Sequence, residues 1–162
     1  MAPPEARGRK ALWLGAACAL GVAVAAAVLV SGRPPEGPVA VDWDGTRCAR
    51  CGMLVSEPGF AAQLHLEDGS VQHFDDPGCL LLQREELAAS EVHAAWLHHV
   101  AEDRWLPLES SAFVPVPHSP MGYGLGAVEA GSAPDALRPA AALARLPDGV
   151  PGGSVQQAGD AP

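Results

Sequence analysis

Beyond residue 30 the chain has no lysine and only seven arginines, set against eighteen acidic residues, a formal net charge of −11 for residues 31–162. A nucleic-acid-binding face is built from clustered Lys and Arg, so no nucleic acid is expected as a partner. The plain reading of the acidic surplus is a solvated surface; it also suits a basic partner or cation delivery. Cysteine is scarce. Of four in the chain, Cys18 falls in an apolar run, leaving Cys48, Cys51 and Cys79. Secreted disulfide frameworks use even numbers, so these three thiols are held reduced by a metal or cycled by a redox partner. Paired acid–base carboxylates, a nucleophile elbow and a phosphate loop are also missing, and no enzyme is expected.

What is present begins with an uncharged apolar run, residues 11–30, behind a basic segment, residues 1–10, that carries Arg7, Arg9 and Lys10. Twenty such residues at helical rise span a bilayer core of about 30 Å. The flanking cations place residues 1–10 in the cytoplasm and the rest outside the inner membrane. A lipoprotein signal at Cys18 and a cleaved secretory signal near Ala25–Ala27 compete with this transmembrane anchor, and all three put residue 31 onward in the same compartment. Residues 31–44, with Pro34, Pro35 and Pro38, read as a linker. Residues 147–162 read as a disordered tail. The folded part is then residues 45–146, enough for one small core.

Within it, Phe60–Leu66 suits a strand, Glu67–Ser70 with its Asp-Gly pair a hairpin turn, and Val71–Phe74 the return strand. An Asp side chain in Asp75-Asp76-Pro77 caps a helix running to about Ala89. Residues 91–100 read as a strand. Residues 105–108 and 112–116 read as short strands whose prolines imply edges. Residues 120–126 form a glycine-rich loop, and residues 134–146 a helix that Pro139 would kink or break. The class is α+β, and the second half could be a degenerate repeat of the first.

The chemistry concentrates in Cys48-Ala49-Arg50-Cys51-Gly52-Met53. Thiolate and thioether are soft donors that select Cu(I). In an extended segment, sulfurs at i and i+2 share one face. Met121, between Pro120 and Gly122, can join Cys51 and Met53 only through the tertiary fold; spacing alone suits a gap-filling side chain as well as a ligand. His118, three residues before it, could be a fourth donor. Cys79, in the first helical turn, reads as a packed thiol. His65, His73, His93, His98 and His99 fall in strand segments and read mostly as ordinary surface or half-buried residues.

Cys51-Gly52-Met53, Phe60-Ala61-Ala62-Gln63, Phe74-Asp75-Asp76-Pro77-Gly78-Cys79, Trp105, Ala112-Phe113-Val114 and Ser119-Pro120-Met121-Gly122-Tyr123-Gly124 occur in the order seen in the NosL family, over residues 45–130. That resemblance implies a membrane-tethered periplasmic Cu(I) metallochaperone that passes copper to the machinery building the copper centres of nitrous oxide reductase, an ABC-type complex with its periplasmic partner. It implies two small strand-strand-helix-strand units, with Cys51, Met53 and Met121 among the Cu(I) ligands. Cys48 departs from relatives with a bare Cys-Gly-Met and stands either as a ligand or as a disulfide partner. Two other classes remain open. A zinc module needs four ligands, and Cys79 has no close Cys partner in sequence. A thiol–disulfide protein would place Cys-x-x-Cys at the start of a helix, whereas residues 53–55 favour extended chain.

Overall fold

A computed structural model describes residues 32–147. The expected basic segment, transmembrane anchor and all but the first residue of the tail lie outside them. Among the described residues no helix is long and apolar enough to cross a membrane.

The chain first makes a hairpin of β1 (Ala62–Leu66) and β2 (Val71–Phe74). Asp68-Gly69 closes it: Gly69 adopts φ 87°, and Asp68 Oδ1 accepts from the Ser70 backbone N–H at 2.9 Å. Helix α1 (Pro77–Glu86) follows. Asp76 is extended (φ −147°, ψ 138°), and its side chain accepts from Gly78 N, satisfying an amide that the first helical turn leaves free. The helix stops at Glu86, short of the expected Ala89, because Leu87 turns extended and a 3-10 turn occupies Ala89–Glu91. β3 (Val92–His98) and β4 (Trp105–Pro107) complete an antiparallel sheet of order β2-β1-β3-β4. Pro107 sits on its edge strand, where a missing N–H costs no ladder bond.

One face of this sheet carries Ala62, Leu64, Phe74, Ala95 and Leu97. With Leu80 and Leu81 of α1, Phe113 and Ala127, they form the core. The opposite face carries Gln63, His65, His73 and Trp96, since successive strand residues point to opposite sides. Gln63 and His65 are fully buried there. Gln63 accepts from Val39 N at 2.9 Å and donates to Val39 O at 2.7 Å, while His65 Nδ1 lies 3.2 Å from Pro35 O. Residues 35–39 thus lie across the sheet instead of standing clear of it as a linker.

The second half corrects the expected repeat. Trp105–Pro107 joins the first sheet. A separate hairpin forms from β5 (Ser111–Pro115) and β6 (Leu125–Glu129), the latter starting inside the expected loop and running on through residues given no element from sequence. Where a closing strand would pair, a single bridge joins Phe113 to Leu137. The expected helix over 134–146 shrinks to α2 (Pro139–Leu143), with Pro139 in its first turn, a position where its missing N–H has no helical partner to lose. The result is one strand-strand-helix-strand unit extended by β4, plus a hairpin and a short helix. α1 touches β1, β6 and α2, so it lies between the two parts.

Candidate metal centre

Cys48 to Met53 form a tight turn. Cys48 N donates to Met53 O at 2.8 Å and Gly52 N to Cys48 O at 3.0 Å. Gly52 has φ 78°, with nothing within 4 Å of where a Cβ would stand; the left-handed backbone angle, not lack of room, calls for glycine. Residues 46–47 and 54–55 pair beneath the turn through the Arg47–Leu54 bridge and Val55 N to Thr46 O, 2.9 Å. Ala49 N donates to His73 O at 2.8 Å, fastening the turn to β2 just before Asp75.

This brings Cys48, Cys51, Asp75 and Cys79 together: one donor atom from each lies within 4.8 Å of all the others. Cys48 arrives from the turn, Asp75 from the end of β2 and Cys79 from the first turn of α1. Cys48, Asp75 and Cys79 are buried; Cys51 is half-buried. The Cys51 thiol donates to Asp75 Oδ1 at 3.3 Å, and Asp75 Oδ2 is buried with no hydrogen bond among the described residues.

The electrostatics follow from this crowding. A hydrogen bond from the Cys79 thiol, aided by Asp75, draws Cys48 down to about 4 against its burial. The same bond, with burial, pushes Cys79 far up. Burial pushes Cys51 up to about 12 and Asp75 up to about 6. The crowding thus favours the thiolate form at Cys48, the form that binds metal, and the proton at Cys51 and Cys79, which an arriving cation would displace.

Of the residues singled out from sequence, Cys48 and Cys51 are in this group. Met121 is 8 % exposed and packs in the same buried cluster as Cys48 and Cys79. Met53 is 43 % exposed on the turn. His118 lies outside the group; its side chain is 77 % exposed, with Nε2 3.9 Å from Glu57 Oε1. Two members were missed. Cys79 is as buried as expected of a packed thiol, yet it touches Cys48. Asp75 was read only as part of a helix cap, but Asp76 does the capping. Their place in the run Phe74–Cys79 was the one signal available. His65, His98 and His99, expected at the surface or half-buried, are buried.

Fold and site define a small α+β domain with a cysteine-lined group able to hold a metal ion. The same fold occurs in the solved structure of the copper chaperone NosL from Shewanella denitrificans, at 24 % identity and a TM-score of 0.50, covering 60 % of this chain and 82 % of that one. No family model matches the chain, and no curated protein matches it.

Proposed function

We propose that this protein is a Cu(I)-binding metallochaperone that works outside the cytoplasmic membrane, tethered by residues 11–30, and is not an enzyme. The observation that carries this is the convergence of three thiols, two from the Cys48–Met53 turn and one from the first turn of α1, with Met121 buried in the core that also holds Cys48 and Cys79. Soft sulfur in excess favours Cu(I) over hard cations. The likeness to a chaperone named for copper supports the same reading. The proposed ligands are Cys51, Met53 and Met121, with Cys48 as a further thiolate. His118 was weighed as a donor, but its exposure and its place beside Glu57 do not support it. The proposed client is the copper-centre assembly of nitrous oxide reductase, reached through an ABC-type complex and its periplasmic component.

Anaerobic titration of the protein with Cu(I) against a competing chelator tests this. One Cu(I) per chain is expected, with affinity reduced in the triple variant Cys51→Ser, Met53→Leu, Met121→Leu. Unchanged affinity in that variant would remove the ligand assignment.

Asp75 favours a second reading. Three cysteines and one carboxylate can satisfy tetrahedral zinc, which sequence spacing alone did not offer. Protein purified with stoichiometric zinc and showing no preference for copper would support it. For the thiol–disulfide reading, Cys48-x-x-Cys51 lies in a turn instead of at a helix start, the geometry that would activate it.

A further inference from the structure

Asp76 is fully buried and makes three hydrogen bonds. Oδ1 accepts from Gly78 N at 2.8 Å, the helix cap. Oδ2 accepts from Ser119 Oγ at 2.6 Å and from Met121 N at 3.1 Å, both more than forty residues away. Capping needs one oxygen; the second grips the loop that carries Met121. Ser119, itself 2 % exposed, receives Gly124 N on its Oγ at 3.0 Å, and Gly122 N returns to Ser119 O at 3.0 Å. The loop is therefore closed on itself and bolted to the carboxylate.

Asp75 and Asp76 are consecutive, and Asp76 is extended, so their side chains diverge. Asp75 reaches the thiols; Asp76 reaches the Met121 loop. A thioether donates no hydrogen bond by which its position could be fixed. Its place must come from its backbone, and the Met121 N–H is held by Asp76.

The structure assigns Asp76 as the positioning residue that holds the Met121 backbone in the core it shares with Cys48 and Cys79. This deepens the Cu(I) reading and rests on Met121 being a ligand. Residues behind metal ligands commonly carry about 10–100-fold of metal affinity. In Asp76→Asn, one oxygen can stay on Gly78 N while the amide NH2 faces the Met121 N–H, donor against donor. Ser119→Ala removes both bonds of the Ser119 hydroxyl, to Asp76 Oδ2 and from Gly124 N, and leaves the helix cap intact, so it loosens the same loop in a chain that keeps its cap.

The test is Cu(I) titration against a chelator for the full chain, Asp76→Asn, Ser119→Ala, Met121→Leu and the Ser119→Ala/Met121→Leu double variant, with X-ray absorption on the loaded proteins. Asp76→Asn should lose about 10–100-fold in affinity and show one sulfur fewer around copper, as in Met121→Leu. Ser119→Ala should lose affinity in the wild-type background and nothing further in Met121→Leu, the signature of two residues acting as one unit. Additive losses, or wild-type affinity in Ser119→Ala beside a weakened Met121→Leu, overturn the role of Asp76 alone. Wild-type affinity in Met121→Leu overturns the ligand reading and this inference together.

Discussion

The Cys51 thiol donates to Asp75 Oδ1 across 3.3 Å, tying the exposed side of the thiol cluster to a buried carboxylate. Oxygen is a hard donor that Zn(II) accepts and Cu(I) does not need. Asp75→Asn is therefore expected to lower Zn(II) affinity by about ten-fold or more, while Cu(I) affinity stays within about three-fold. Parallel competition titrations measure both. Equal losses for the two ions would mean that Asp75 orders the thiols instead of acting as a donor.

The apo protein should carry one thiolate per chain at neutral pH. Cys48 is drawn down to about 4 chiefly by the Cys79 hydrogen bond, whereas Cys51 is pushed up to about 12 and Cys79 still further up. Thiolate absorbance should disappear as pH falls through about 4 and be missing in Cys48→Ser. Because the folded pKa lies below the unfolded value, Cys48 adds stability that is full above the unfolded thiol pKa of about 8.5 and is lost as pH falls through about 4. Denaturation of wild type and Cys48→Ser across that window should therefore diverge as pH rises.

Gly78→Ala should destabilise by about 1–3 kcal/mol through overpacking. A Cβ there would collide with the Tyr123 ring, two residues from Met121. Gly78 has no positive φ, so the cost is space alone. Urea denaturation gives the size of the loss, and the Tyr123 NMR signals should shift.

Gln63→Ala should cost about 1–3 kcal/mol, because it strips the backbone N–H and C=O of Val39 of both partners. Hydrogen exchange at the Val39 amide should rise well above that of the β1–β3 ladder. Unchanged protection there would show that residues 35–39 are held by other contacts.

The β1–β2 hairpin and the start of α1 were legible because their signals are local: Asp68-Gly69 at the turn, Asp76 and Pro77 at the cap. β6 was not. Leu125-Gly126-Ala127-Val128 has no alternation, and its pairing with β5 makes it a strand. Residues 35–39 carry the prolines of a linker, and what pins them, Gln63 and His65, lies 24 and 30 positions away. For the site, Cys48 and Cys51 were legible as a pair of metal-binding thiols because they lie three positions apart. The joining of Cys48 to Cys79 was not, because it depends on where the end of β2 delivers the first turn of α1. Cys79 looked like a core residue because it is one, and burial and ligation are compatible in a thiol.

The three thiols differ in their access to solvent: Cys48 and Cys79 are closed off, and Cys51 is half open. If the proposed function holds, a metal among them would be met from solvent at Cys51. An acceptor sulfur would then share the ion with Cys51 before displacing the inner pair. Release would run in that order, at a speed set by the partner's ability to form the first shared bond, so that the ion could be kept tightly yet surrendered quickly to a partner that fits.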